Sequence, residues 1–541
     1  MSTRLHTFET RGPVDPKYHY VVPRTEEIAD LGKRIKDGRY IVIFAPRQTG
    51  KTTFFRWALD SLDETYLSIQ LNFEDYKELA SEEFYHYLKQ DILQEIKNTD
   101  QLHDVTCYQF LENYSITSST SMREFFEQLG DYLKNRRLVI IVDEFDGIPT
   151  KEVNPFLHSL RRIYLSKKTN RCPYSLGIVG VKSITQLNYD RSISPFNIQD
   201  EFALPNFTLS QVQTLLAQYT LAVGQAVAPE VIENLHKQTF GQPFLVNRMA
   251  QILTTEMGIA RDETILATHF EIAHQRISNE QNVHLSHLTT NIRRDPRFKT
   301  ILMEICSYEA GIPFNLHNEY ISELVTYGIL KTGEDGFCEV TNPIYQYCIV
   351  QTFRPLINGL ERQYLPEDTD DGFGDYLTAE GKINMHSLLV NFRDFMARAG
   401  FRILQVPDTP QEFVGQYLLF AYLDQFVRQM HGFMYPEVRT GRGRMDLILL
   451  HQGDKYIVET KIWEGTKSYQ AGKRQLAKYL KLEGVAEGYY IVFDHRKKPQ
   501  ALFDTDTIEE KSIVSYCIPV IQEQPSTVAK ENPSGRDKSP P

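Results

Sequence analysis

Cysteine is scarce in this chain, with six in 541 residues, at Cys107, Cys172, Cys306, Cys338, Cys348 and Cys517, each standing alone. No C-x-x-C pair is present to suggest structural zinc or a redox centre, and single scattered thiols fit a reducing cytosol. Tryptophan is rarer still, with two residues. Long apolar runs are missing: nothing approaches the roughly 18 consecutive apolar residues of a membrane helix. The opening "MSTRLHTFETRGPVDPKYHY" holds no apolar stretch of signal-peptide length. A cytoplasmic protein with no membrane contact is expected. Positive charge is also short, since 59 Lys and Arg against 70 Asp and Glu leave a formal −11. That balance excludes a basic coat and confines any nucleic-acid surface to a local patch.

What is present is an ordinary globular mixture, 41% hydrophobic and 24% charged. The length calls for roughly three or four domains. From about Tyr20, β-like apolar runs alternate with amphipathic helical stretches, which predicts an α/β fold with a parallel sheet. The runs are "YIVIFA" (Tyr40 to Ala45), "YLSIQLNF" (Tyr66 to Phe73), "LVIIVDEF" (Leu138 to Phe145) and "YSLGIVGV" (Tyr174 to Val181). We set a core over 1–205 and a helical lid over 206–290. Two amphipathic helices and a strand–turn–strand pattern then predict a winged-helix unit over 291–358. Its second helix, "NEYISELVTYG", is acidic, so a packing role competes with DNA binding. An acidic linker (359–385), a second α/β domain (386–521) and a Pro/Ser-rich tail expected to be disordered (522–541) complete the chain.

"IVIFAPRQTGKTTF" places Ala45-x-x-x-x-Gly50-Lys51-Thr52 after a buried strand and before a helix. A phosphate needs backbone N–H donors and a helix N-terminus. The turn at Gly50 supplies them, Lys51 adds charge, and Thr52 offers a hydroxyl to Mg²⁺, with Thr53 beside it. Ala45 stands where such loops usually carry their first glycine. A second element should be an apolar strand ending in an acid. "LVIIVDEFD" provides Asp143 to order Mg²⁺ and Glu144 to polarise an attacking water. Together these predict ATP binding and hydrolysis with Mg²⁺.

"GRMDLILLHQGDKYIVETK" reads as a hairpin, Met445 to Leu450 and Lys455 to Lys461, turning at His451 to Asp454. Pairing them antiparallel brings Asp446 and Glu459 to one end, with Lys461 on the same face as Glu459. Two convergent carboxylates suit Mg²⁺, and an adjacent lysine stabilises charge on a phosphate. Taken alone, an E-x-K triplet is so common that ordinary ion pairs on an edge hairpin explain it better. The preceding "RTGRGRMD" offers Arg442 and Arg444 to a phosphate backbone. The following "SYQAGKRQLAKYL" puts Gln475 and Tyr479 on one helical face beside basic residues. The helix before the hairpin begins near Glu412, a third acid.

On these residues, about the first 360 positions resemble the AAA-like and STAND-type P-loop ATPases of prokaryotes. The resemblance implies that Arg24 and Glu27, in "VPRTEE", lie near the nucleotide base. It implies that Gly241 and Pro243, in "GQPFLVNR", reach the nucleotide from the lid, with Arg248 as a lid arginine and Ser183 as a polar sensor. Arg161 and Arg162 serve either as arginine fingers for a neighbouring subunit or as a solvated helix face, so a homo-oligomer through the ATPase is one expectation.

The segment from about Ile383 to Tyr516 resembles the PD-(D/E)XK nuclease superfamily, on Asp446, Glu459, Lys461 and the Gln475-x-x-x-Tyr479 pair typical of its RecB-like branch. That implies a separate restriction-endonuclease-like α/β domain in which Asp446, Glu459 and the Thr460 carbonyl bind metal and Lys461 assists catalysis. The further acid is Glu412 or Glu437. The expectation is an ATP-dependent, Mg²⁺-dependent DNase. Its rival is a nucleotide-switched signalling or DNA-binding ATPase whose C-terminal domain binds DNA without cutting.

Overall fold

Strand residues that are apolar at every position need cover on both faces, and the first sheet provides it. In the computed structural model, β1 (Tyr40–Phe44), β2 (Tyr66–Asn72), β3 (Arg137–Asp143), β4 (Ser175–Gly180) and β5 (Asp200–Phe202) form one sheet in the order β2-β3-β4-β1-β5. Every pairing in it is parallel. Successive side chains alternate between two hydrophobic clusters. Val42, Leu71, Ile140 and Val142 enter one, and Ile41, Ile43, Val139 and Ile141 the other. β5 is absent from the sequence reading because it is three residues long and begins with two acids.

The structure describes residues 6–44, 49–99, 102–166, 170–180, 200–280, 289–290, 292–293, 295–307, 311–353, 376–399, 414–430, 432–437, 446–496 and 498–520. Ala45, Ser183, Glu412, Arg442 and Arg444 lie outside them, as do most of the linker and the whole tail. The backbone alone is described for Glu437 and Asp446.

The chain divides into two compact units. The first, Met1–Gly224 with Gly241–Gln251 and Ser322–Gly328, holds the parallel sheet. The second comprises Gln225–Phe240, Ile252–Ile321 and Ile329–Pro541. It contains the antiparallel pair β6 (Leu330–Thr332) and β7 (Cys338–Val340), and a mixed sheet. The mixed sheet is built from β8 (Phe433–Glu437), β9 (Asp446–His451), β10 (Asp454–Ile462), β11 (Glu487–Asp494), β12 (Leu502–Ile508) and β13 (Lys511–Pro519). Their order is β12-β13-β11-β10-β9-β8.

β8, β9 and β10 form an antiparallel meander, and β11 returns parallel to β10 after the crossover helix Thr466–Leu482. The β9–β10 turn is Gln452–Gly453, at φ 50° and 84°. Two consecutive positive φ values match the right-handed twist of a tight hairpin. Two glycines let helices lie close on opposite faces. A Cβ at Gly472 of the crossover helix would overlap the Tyr490 hydroxyl, and one at Gly415 of the helix Val414–Gln429 would overlap the Phe493 ring. No helix among the described residues is long and apolar enough to cross a membrane.

Candidate active site

The parallel sheet sets up the first site at the carboxyl ends of its strands. Gly50, at φ 80°, caps the helix Lys51–Asp60, a conformation that costs a residue with a Cβ about 1 kcal/mol or more. Lys51 and Thr53 are buried in the first turn, with Thr52 half-buried between them. Asp143 ends β3 with its side chain 5% exposed, and three donors fix it. The Thr52 hydroxyl donates to Oδ2 at 3.1 Å, Gln70 Nε2 to the same oxygen at 3.4 Å, and the Glu144 backbone N–H to Oδ1 at 3.0 Å. The acid at the end of β3 and the hydroxyl of the helix Lys51–Asp60 thus meet.

Glu144 sits at φ 49°, ψ 45°, a left-handed conformation uncommon outside glycine, asparagine and aspartate. Left-handed backbone at a non-glycine residue costs energy, and such strain gathers at functional sites. Gln70 was missed from the sequence. Its trace is the polar alternation Ser68, Gln70, Asn72 in β2, and its significance needs the non-local β2–β3 pairing that sets Asn72 beside Asp143.

The outlying candidates are held by protein partners. Arg24, at φ 47°, caps the helix Thr25–Lys36. Its guanidinium donates to the Pro205 carbonyl at 2.7 Å and lies 4.7 Å over the Phe207 ring. Burial lowers its pKa to about 10, partly opposed by Glu27. Glu27 in turn accepts from Gln211 Nε2 at 3.2 Å, so both residues are tied to the start of the helix Leu209–Val223. Gly241 (φ 69°) packs where a Cβ would overlap the Phe207 carbonyl oxygen, and its own carbonyl accepts from Phe207 N–H at 2.8 Å. Pro243 opens the helix Pro243–Gln251, on which Arg248 donates to Gln251 at 2.6 Å. The Thr53 hydroxyl accepts from the Val14 N–H at 2.9 Å. On the helix Val153–Leu165, Arg161 is half-buried and Arg162 exposed.

A second constellation lies in the mixed sheet. Glu437 and Asp446 are register partners across β8 and β9. Val458 pairs Leu447 across β9 and β10, so one further step sets Glu459 opposite Asp446. Three carboxylate residues therefore occupy one row across three adjacent strands. The hairpin register was legible in the sequence, but the place of Glu437 in the row was not, because β8 is joined to β9 by a stretch rich in Gly and Arg.

Glu459 is 1% exposed and Lys461 7%, with Lys461 Nζ 3.8 Å from Glu459 Oε1. By alternation they share a face with Ile457, which belongs to one hydrophobic cluster with Leu476, Tyr479 and Leu480 of the crossover helix. Tyr479 is buried there and Gln475 half-buried one turn earlier. Thr460 points to the other face, where its hydroxyl receives Gln416 Nε2 at 3.4 Å. Gln416 is a buried polar residue in the otherwise apolar "VGQYLLFAYL", another contact the sequence reading lacked.

Residues 10–349 match the AAA-like domain family, and residues 385–497 match a domain of unknown function (DUF8371). The uncharacterized WD repeat-containing protein slr0143 of Synechocystis sp. is 24% identical over 254 residues, covering 43% of this chain and 21% of that protein. The chain thus spans about a fifth of the length of that relative. Among solved structures, the Walker-type ATPase PABY2304 of Pyrococcus abyssi is similar at a TM-score of 0.45 and 16% identity, over 63% of this chain and 99% of that one. Aeropyrum pernix Orc1 in complex with DNA is similar at 0.31 and 15% identity, over 62% and 94%. The Thermotoga maritima RuvB Holliday junction branch migration motor is similar at 0.31 and 13% identity, over 59% and 91%.

Proposed function

This chain belongs to the AAA-like domain family, matched over residues 10–349, and from that premise of an ATP-binding ATPase we propose that its nucleotide cycle governs Mg²⁺-dependent cleavage of DNA by the C-terminal mixed sheet. In the ATPase, the N–H groups around Gly50 and the Lys51 ammonium hold the phosphates, and the Thr52–Asp143 pair presents oxygen ligands for Mg²⁺. Glu144 orients the attacking water.

The observation that carries the nuclease reading is the row Glu437, Asp446, Glu459, with Lys461 two residues beyond on the same strand. Such an oxygen-rich donor set fits a hard divalent cation. Bound there, Mg²⁺ would lower the pKa of a water and neutralise charge on the scissile phosphate. Lys461, held near Glu459, supplies a positive charge to a phosphate or hydroxide on that face. Burial of Glu459 and Lys461 strengthens those interactions by excluding water. The order helix, three-stranded meander, crossover helix, parallel strand supports the same reading, as do Gln475 and Tyr479 four residues apart on the crossover helix. Arg442 and Arg444 would approach the phosphate backbone. Defence against foreign DNA is the biological setting this fusion suggests, with assembly through the ATPase as its switch.

The test is cleavage of linear, circular and single-stranded DNA by the full chain in Mg²⁺, with and without ATP. Asp446→Ala should abolish cutting, and Lys51→Ala should abolish its ATP dependence. ATP hydrolysis without cutting by any form would instead favour a nucleotide-switched DNA-binding protein.

A further inference from the structure

Resting on the nuclease reading, we propose that the guanidinium plane of Arg496 is a stacking platform for an unpaired nucleobase, so that the mixed sheet receives single-stranded DNA beside the Glu459–Lys461 pair. The placement begins with the strand. Trp463 stands two residues after Lys461, just past the end of β10, and packs against the same cluster as Ile457 and Tyr469. Its backbone N–H donates to the Phe493 carbonyl at 2.9 Å, which fixes the chain beside the end of β11. Arg496 returns from that end to lie 4.7 Å over the indole.

The guanidinium is held in plane by Asp494, which is fully buried. Asp494 Oδ1 accepts from Arg496 Nε and Oδ2 from Nη2, each at 2.8 Å. The backbone N–H groups of Arg496 and Gln500 donate to the same carboxylate at 3.1 and 2.9 Å. Behind the indole, Tyr469 follows at 5.3 Å and Tyr490 at 5.5 Å between ring centroids. These rings are tilted by 40° and 47° to one another, and Arg496 is the outermost member of the cluster, with its side chain 46% exposed.

A cation needed only to neutralise Asp494 requires neither planarity nor an aromatic backing. A planar cation clamped on one edge, lying over the indole and 46% exposed, can offer a face to a flat partner. Nucleobases stack on arginine planes as they do on aromatic rings. A base inside a duplex has both faces covered by its neighbours, so the platform takes an unpaired base at an end, gap or single strand. Its position on the face of Glu459 and Lys461 puts the adjoining phosphodiester near the carboxylate row.

Binding of a short fluorescein-labelled oligothymidine to the full chain, read by anisotropy without divalent metal, separates platform from charge. Arg496→Ala and Arg496→Lys should both weaken it about tenfold, since lysine keeps the charge but loses the plane. Affinity for a duplex of equal length should stay unchanged, and unaltered melting would exclude misfolding. In a Trp57→Phe background the remaining tryptophan is Trp463, and its emission should be quenched by the oligonucleotide but not by the duplex. Wild-type single-strand affinity in Arg496→Lys, or the absence of quenching, would overturn the platform while leaving cleavage intact. Quenching in a chain that never cleaves would support the platform and sink the nuclease.

Discussion

The Thr52 hydroxyl donates to Asp143 Oδ2 across 3.1 Å, joining the first turn of the P-loop helix to the end of β3. Because Gln70 donates to the same oxygen and Glu144 N–H to the other, the carboxylate has one orientation. Thr52→Val removes the hydroxyl at nearly constant volume and leaves Asp143 with fewer donors. It should lower ATP turnover by at least ~10²-fold, as should Lys51→Ala and Glu144→Gln. Glu144→Gln should still bind nucleotide, because it changes the proposed water-orienting group and not the phosphate cradle. Phosphate release and equilibrium nucleotide binding on the same preparations check this.

How much of this was legible follows chain locality. A strand, a Gly-Lys-Thr turn and a helix are contiguous, so the P-loop is visible in fourteen residues of sequence, "IVIFAPRQTGKTTF". The β9–β10 hairpin is equally local. Gln70 beside Asp143 depends on pairing between strands separated by three helices, and Glu437 beside Asp446 on how β8 aligns. Neither spacing is written in a motif. Gly241 shows a different gap: its Gly-x-Pro context was visible, but its close approach to the Phe207 backbone was not.

That approach makes Gly241→Ala costly. The residue holds φ 69°, and its new methyl would meet the Phe207 carbonyl, which a backbone segment cannot move cheaply. We expect a loss of about 1–3 kcal/mol or more. Gly224→Ala, at φ 83° with open space around the site, should lose only the left-handed strain, about 1–2 kcal/mol. Denaturant unfolding of the two variants measures the difference; equal losses would remove the steric argument.

His274 gives a pH signature. It is fully buried, with Nε2 3.1 Å from Gln238 Oε1 and Nδ1 3.2 Å from the Ser278 hydroxyl, so the neutral ring donates to Gln238 and accepts from Ser278. Burial pushes its pKa down to about 3 from 6.5. Between those values the unfolded chain binds a proton that the folded one does not. This contribution to stability is therefore complete above about 6.5 and is lost progressively as pH falls toward about 3. The slope is about 1.4 kcal/mol per pH unit within that window. Stability measured by denaturant at pH ~7 and ~5 should fall less in His274→Asn than in the parent chain; parallel curves would show that other groups set the dependence.

The carboxylate row yields the sharpest distinction in the C-terminal sheet. Glu437 is paired with Asp446, and Asp446 stands one register step beyond the Leu447–Val458 pair, opposite Glu459, so the proposed metal would be shared by all three positions. Glu412 precedes the helix Val414–Gln429, whose Gln416 meets Thr460 on the opposite face of β10. Replacing Glu437 with glutamine keeps its size and removes a charge from the proposed metal site. Glu437→Gln should therefore lower Mg²⁺-dependent cleavage by at least ~10²-fold and raise the Mg²⁺ concentration needed for half-maximal rate, whereas Glu412→Gln should stay within about twofold of the parent. A cleavage assay across a Mg²⁺ titration reads both effects. The reverse pattern would move the third acid from β8 to the segment before that helix, and would mean that the metal is held from the Thr460 face rather than from the face of Lys461.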